Sequence, residues 1–559
     1  MPSENNSTGD AGIQSGLQPV LDALTSILEP HYLLMILTPL TIIWLGAHGS
    51  LRRPASAAPA KLKKGEKRRE EEKFAEGLVA SDAIRYPLML GAVLVGLYYL
   101  IQWLQDPAIL NKVLRGYMTV MSVAGLGQLA GDALDLLVSL VFPTMWVGDS
   151  AKVYHIDPHR RCQYALDDES GNEMVIPSRD TPLPGCLDGW VTSEVVRSWL
   201  WEVRDLLTEE WTVRVVIYGK KLGEYEIRLN DLVRSVIAAA VALAYHFTGW
   251  TALSNLLSFA MCYFSFTLIS PTSFGIGTAV LVSLFVYDVV MVFYTPYMIT
   301  VAKAIDAPIK LTFETAKGAS MLGLGDIIIP GMMMALALRF DLFMHYQRQI
   351  KLEPVQLLSK SVSASTDATT PENSKASTTA TTGHRRIKPT FIDTRGQWGN
   401  RFWTTPFGRL SPVSGASEPA AATAFPKPYF YASLGGYAGA MVVTMVVMLV
   451  FRHGQPALLY LVPGVTGALW LTGLARGEIK DMWAYTEDGS LDTEDVVVEV
   501  DGEGKVVEGE RERKETEGNS GPKDDGEDIE KERQQRTAAG LKELFVLSVT
   551  AQRVAESVS

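Results

Sequence analysis

Cysteine is nearly absent, with three residues in 559, and that scarcity excludes a disulfide framework. Cys162 and Cys186 lie in a polar stretch and Cys262 in an apolar run. The pattern His155-x-x-x-His159-x-x-Cys162, with Cys186 beyond it, offers zinc-ligand types without the usual Cys–Cys spacing, so no metal site is assigned. Lys and Arg are missing from residues 1–30. No cleavable signal is expected there either, since the first apolar run begins late and is read as an anchor. The chain ends Val-Ala-Glu-Ser-Val-Ser, with no dilysine retrieval signal.

What is present is apolar and arranged in blocks. The chain is 47% hydrophobic, and its mean hydropathy of +0.11 survives long charged stretches, so the apolar residues must be concentrated. Runs near the ~20 residues that cross a bilayer fall at 31–48, 86–104, 116–146, 232–249, 252–271, 274–299, 318–340, 428–451 and 456–475. This predicts an all-α polytopic membrane protein of about nine transmembrane helices. The third run is interrupted by Gly127, Gly131, Asp132 and Asp135. Its two acids are read as a helix end or an interfacial stretch, without a catalytic role. Gly435-x-x-x-Gly439 predicts a close helix contact inside the bundle.

The polar stretches have their own signatures. Residues 213–218 and 224–229 flank Gly219-Lys220-Lys221-Leu222-Gly223, which predicts a short hairpin. Residues 361–383 are Ser/Thr-rich and 487–535 are acidic and Gly-rich; neither can bury a core, and both are expected to be disordered. The tail supplies much of the net charge of −11, so the acidic balance says nothing about substrate. For the last run, 541–554, an amphipathic helix or an unstructured end is expected.

Orientation follows from the basic residues. The loop after the first run carries Arg52, Arg53, Lys61, Lys63, Lys64, Lys67, Arg68 and Arg69, whereas nothing basic precedes it. A lumenal N-terminus and, after nine crossings, a cytosolic C-terminus are therefore expected. Overlapping glycosylation acceptors at Asn5 and Asn6 fall on that lumenal side. The expected organisation is a lumenal N-terminus, 1–30, then a five-helix region, 31–271, with a basic cytosolic loop 49–85 and a cytosolic insertion 147–231. Helices six and seven follow at 274–340, a cytosolic loop at 341–427, the last two helices at 428–475 and an acidic cytosolic tail at 476–559.

Two aspartates interrupt otherwise strongly apolar segments: Asp288 after Tyr287, and Asp326 in Gly323-Leu324-Gly325-Asp326. A carboxylate at bilayer depth costs at least ~2.5–3.5 kcal/mol on insertion scales, so such residues mark functional sites. Two held close together cannot both ionise; they share a proton, one serving as base and one as acid. Gly323 and Gly325 remove side chains beside Asp326 and let backbone approach. Pro456-Ala457-Leu458 opens the last run with a residue that lacks an N–H, and such irregular backbone survives in a membrane only beside protein or water. Counting along segments 276–300 and from Lys317 sets Asp288 at ~18 Å and Asp326 at ~14 Å depth, both near mid-bilayer.

Tyr-Asp, Gly-x-Gly-Asp and Pro-Ala-Leu, in that order on three membrane segments, resemble the presenilin and signal peptide peptidase family of intramembrane aspartyl proteases. Val301-Ala302-Lys303, Asp306-Ala307-Pro308-Ile309-Lys310-Leu311, Met321-Leu322 before the second motif, and Leu338-Arg339-Phe340-Asp341 resemble the signal peptide peptidase branch. The resemblance is tight over 275–341 and 429–485. The polar stretches 148–231 and 351–426 have no obvious counterpart.

The resemblance implies a presenilin-like bundle with Asp288 and Asp326 as the catalytic pair and Tyr287, Gly323, Leu324 and Gly325 supporting the site. Pro456, Ala457 and Leu458 would shape it and contact substrate. The implied activity is endoproteolysis within transmembrane helices, chiefly remnant signal peptides of the endoplasmic reticulum membrane, by activated water and without a metal or organic cofactor. The implied partners are membrane-spanning peptides of type II orientation and the lipid bilayer, with room for components of ER-associated degradation and a homo-oligomer; nothing points to nucleic acid. The alternatives are a non-proteolytic scaffold or chaperone in ER-associated degradation, and a transporter using the two aspartates as ion sites. Both predict no cleavage.

Overall fold

The computed structural model describes residues 25–59, 76–104, 107–148, 153–158, 160–166, 173–175, 180–189, 191, 193–217, 220–305, 308–315, 318–357, 381–393, 398–404, 425–451, 455–491, 497–499 and 545–551. Asn5, Asn6, His159, Asp306, Ala307, Lys317 and most of the low-complexity loop and acidic tail lie outside them.

Among the described residues nine helices are long and apolar enough to cross a membrane. They are α1 (Pro30–Gly49), α2 (Asp82–Leu104), α3 (Pro107–Val141), α4 (Leu229–Thr248), α5 (Thr251–Leu268), α6 (Phe274–Phe293), α7 (Gly325–Gln347), α8 (Pro428–Phe451) and α9 (Leu458–Arg476). The chain is a multi-pass membrane protein.

α7 is apolar all round its circumference and accordingly sits at the centre. Every residue from Pro330 to Leu342 is buried, and α1, α5, α6, α8 and α9 pack around it. At the other extreme, α2 has no buried residue and lies on the outside against α6. α8 and α9 pack backbone to backbone, but not through Gly435 and Gly439, which face open space. The contact is one residue further round the helix. A Cβ on Gly436 would lie 2.4 Å from the Gly464 carbonyl oxygen, and one on Gly464 2.8 Å from that of Gly436. Small residues admit this approach, and one position along a helix turns the contacting face by about 100°.

Several boundaries depart from the apolar runs. α3 is continuous through Gly127 and Gly131, and Asp132 and Asp135 lie inside it rather than at a helix end. Both are paired across helices: Asp132 accepts from Tyr263 Oη of α5 and from Gln128, and Asp135 accepts from Asn230 Nδ2 of α4 at 3.0 Å. α6 stops at Phe293 rather than near 299, because Pro296 disfavours helical backbone at Thr295. A short helix, Tyr297–Ala304, follows.

The largest departure precedes α7. Residues 318–323, expected as its first turns, form a strand, β2 (Gly318–Gly323), antiparallel to β1 (Lys310–Thr315). A short apolar run does not declare helix or strand by periodicity, and here a glycine at each end disfavours the helix.

In the insertion, Glu210–Ile217 and Lys220–Arg228 form the expected hairpin. Phe545–Ala551 joins it as an antiparallel third strand, so part of the last run is extended and not an amphipathic helix. Its β-branched Val546, Val549 and Thr550 suit a pleated surface better than a helix. Part of the Ser/Thr-rich loop is likewise ordered, Thr381–Ile387 pairing with Lys351–Leu357.

Candidate active site

Asp288 lies fourteen residues after the start of α6 and five before its end, about 21 Å and 7.5 Å along the axis. It is therefore nearer the α6–α7 connection than the mid-helix position expected from a run to Thr300. Asp326 moves the same way. It is the second residue of α7, directly after β2, and not nine residues inside a helix. Antiparallel packing of α6 on α7 brings the end of one to the start of the other, and the two carboxylates are close enough for the charge of one to act on the other. Asp288 is buried and Asp326 half-buried.

The third motif meets the first. α9 begins at Leu458, with Ala457 as its N-cap, and alanine has no side-chain oxygen to satisfy the free N–H groups of a first turn. Asp288 supplies the missing acceptor from another helix: its carboxylate takes the Leu458 N–H at 3.1 Å. The arrangement also sets a carboxylate at the positive end of a helix dipole. Pro456 is buried beside it.

Around Asp326 the backbone is held in place. The Leu324 N–H donates to the Ile309 carbonyl at 3.2 Å, continuing the β1–β2 pairing into the first residue before α7, and Leu324 is buried in the main core. Pro330, four residues after Asp326, has no N–H to return to the Asp326 carbonyl. The Tyr437 hydroxyl of α8 takes that place at 3.3 Å. A Cβ on Gly323 would lie 3.4 Å from the Asp326 carboxylate, so that glycine leaves the acid room. Gly325 is exposed at the start of α7. Tyr287, half-buried on α6, faces α2, where a Cβ on Gly91 would come within 3.7 Å of its ring.

The far end of α7 carries a second polar assembly. Arg339, thirteen residues and about 20 Å from Asp326, donates to Glu487 at 2.7 Å, to Ser50 at 2.8 Å and to Ser270 at 2.5 Å. Glu487 also takes Arg52 at 2.8 Å and the Tyr485 hydroxyl at 2.9 Å. Burial pushes the Glu487 carboxyl up, but Arg339 and Arg52 outweigh it and hold the group below its usual range. Asp341 accepts the N–H groups of Tyr429 and Phe430, at 3.3 and 2.9 Å, and so caps α8 as Asp288 caps α9.

Tyr437 and Glu487 belong to no motif in the sequence. The one signal for Tyr437 is Pro330, whose position predicts an orphaned carbonyl at Asp326 without saying what fills it.

The profile of the signal peptide peptidase family matches residues 69–489. Signal peptide peptidase of Homo sapiens is 28% identical over 281 residues, 49% of this chain and 54% of that protein. Intramembrane protease 2 of Caenorhabditis elegans is 27% identical over 295 residues, 50% of this chain and 49% of that protein. A probable intramembrane protease of Saccharomyces cerevisiae is 24% identical over 439 residues, 75% of this chain and 62% of its own length. The chain thus spans about half the length of the human and nematode relatives it matches. No solved structure matches it.

Proposed function

The chain belongs to the signal peptide peptidase family, and from that premise we propose that it is an intramembrane aspartyl endopeptidase whose catalytic pair is Asp288 and Asp326. The supporting observation is the hydrogen bond from Leu458 N–H to Asp288, which ties the Pro-Ala-Leu element to one of the two intramembrane carboxylates. Among the described residues no donor reaches the Asp326 carboxylate. The asymmetry assigns roles. Both acids lie at a helix N-terminus, but only Asp288 has an N–H donor, which stabilises its negative charge, so Asp288 is the base that takes a proton from water. Asp326 carries the shared proton and polarises the scissile carbonyl.

The substrate is a peptide that spans the membrane, chiefly a signal peptide remnant in the endoplasmic reticulum. The protein lies with its N-terminus lumenal and C-terminus cytosolic. A helical peptide bond is shielded, because its carbonyl is already hydrogen-bonded; in hydrocarbon, freeing it costs several kcal/mol unless new partners are provided. The outer edge of β2, ending at Gly323 beside Asp326, offers those partners to an unwound segment by strand addition.

The test is direct: purified protein, a synthetic signal peptide in detergent, and a transition-state-mimicking aspartyl protease inhibitor. Cleavage that the inhibitor stops is expected. Binding without cleavage would overturn the proposal in favour of a scaffold.

A further inference from the structure

A two-stranded sheet has two free edges, and an extended substrate would have to choose between them. In β1–β2 one edge is already taken, by side chains rather than by a strand. The Asn255 amide of α5 donates through Nδ2 to the Thr312 carbonyl at 2.8 Å and accepts the Thr312 N–H through Oδ1 at 2.9 Å. Ser258 Oγ donates to the Lys310 carbonyl at 3.2 Å, and Thr251 Oγ1 to the Glu314 carboxylate at 2.8 Å. Thr251, Asn255 and Ser258 are spaced i, i+4, i+7, one face of a helix; Lys310, Thr312 and Glu314 are spaced i, i+2, i+4, one side of a strand. The helix face spans about 10.5 Å and the strand side about 13 Å, so the two run alongside each other.

The phase of the sheet follows. In an antiparallel ladder a residue's N–H and C=O point the same way, and successive residues alternate. Thr312 sends both groups to Asn255, so Leu311 and Phe313 send theirs to β2, where they face Leu322 and Ser320. That leaves Ala319, Met321 and Gly323 facing the outer edge of β2. The Leu324 N–H bond to Ile309 falls in the same phase. Among the described residues nothing pairs with this outer edge.

We propose that Asn255 is a positioning residue for cleavage: its amide stands in for a third strand on β1, leaving an extended substrate one edge to join and one register relative to Asp326. This rests on the strand-addition reading above. Met321 and Gly323 then supply the backbone groups that fix which substrate carbonyl reaches the aspartates. A substitution at Asn255 releases β1, lets the hairpin shift, and changes which bond is cut.

The experiment compares products by mass spectrometry, using the purified full chain and a synthetic signal peptide. The unaltered protein should cut at a narrow set of bonds. Asn255→Leu should lower kcat by about tenfold, the scale of two lost hydrogen bonds, with KM little changed and cleavage spread to neighbouring bonds. Asn255→Asp, which keeps the acceptor for Thr312 N–H and loses the donor, should broaden the products less; it serves also if the leucine variant does not fold. Thr267→Val, on the same helix but bonded only to Phe264 of its own helix, should leave the product pattern alone. Slower cleavage at unchanged bonds in both Asn255 variants would mean a merely structural role and overturn the proposal. A substrate N-methylated around its scissile bond separates the two readings. If it is cut normally, strand addition itself fails; if it is blocked while the Asn255 variants keep the original bonds, only the role of Asn255 fails.

Discussion

Leu458 and Asp288, 170 residues apart in sequence, are joined by a hydrogen bond from the backbone N–H of one to the carboxylate of the other. The bond does two things at once. It caps a helix that has no capping side chain of its own, and it fixes a buried acid in one orientation. The helix and the acid therefore respond differently to substitution.

Asp288→Asn keeps an oxygen that can accept the Leu458 N–H but cannot take a proton from water. Peptidase activity should fall to background while the thermal unfolding midpoint barely moves. Asp288→Ala should be equally inactive and also less stable than the Asn variant by about 1–3 kcal/mol, the cost of leaving a buried N–H unpaired. Asp326→Asn should be inactive too, and the double Asn variant little worse than either single one, because the pair acts as a unit. Substantial activity in both single variants would refute the assignment.

Gly323 leaves 3.4 Å between a would-be Cβ and the Asp326 carboxylate. Alanine fits that space with a small loss of rate. Valine adds two methyl groups on the strand beside the acid, and should lower kcat/KM by about tenfold or more, of the order of 1.4 kcal/mol in the barrier. A valine variant as active as the alanine variant would show that the acid does not need the space.

Substrate unwinding gives a third expectation. Gly, Pro or Ser in the middle of a substrate segment should speed cleavage, and a poly-Leu segment of the same length should resist it, since leucine is among the better helix formers. The measurement is the rate at matched occupancy. Equal rates would remove helix opening from the mechanism.

Acid should act at the other end of α7. Glu487 is held below its usual range in the folded protein, so its contribution is complete above about pH 4.5, the unfolded value, and is lost as pH falls through the lower folded one. Glu487→Gln should lower stability at neutral pH by about 1–3 kcal/mol, because the buried Arg339 keeps its bonds to Ser50 and Ser270 but loses the charge-assisted one to a carboxylate. It should also flatten the acid limb of the stability curve. An acid limb unchanged by the substitution would exclude Glu487 as its cause.

Orientation has its own test. In sealed microsomes, protease added from the cytosolic side should cut within 361–383 and in the tail beyond Glu487, and should spare the N-terminal residues. A protected tail would reverse the orientation inferred from Arg52 and its basic neighbours.

Charge in hydrocarbon is conspicuous, and for that reason the nine apolar blocks, Asp288, Asp326 and the proline opening α9 stand out in the sequence. The hairpin before α7 does not. Residues 318–323 are as apolar as a helix turn, and only pairing with 310–315 makes them a strand. Asn255 shares a polar helix face with Thr251 and Ser258 and Tyr437 belongs to no motif, but what they bond to is not written near them: their roles depend on backbone groups 57 and 111 residues away. Gly435 and Gly436 are neighbours, and choosing between them requires the rotation of α8, which its nearly uniform hydrophobicity leaves unmarked. Phe545–Ala551 needed a partner more than 300 residues upstream.

The two caps supplied by Asp288 and Asp341 also bear on how the chain is made. α8 and α9 are the last two of these helices to leave the ribosome, and neither carries a side chain that caps its own first turn. Their acceptors stand on α6 and α7, which have been synthesised by then. A nascent chain stopped before α8 would have both aspartates without these N–H donors, and if Asp288 is the base, as proposed, cleavage would require α9 to dock. On that reading the order of synthesis itself would hold back peptidase activity until the α9 cap has formed.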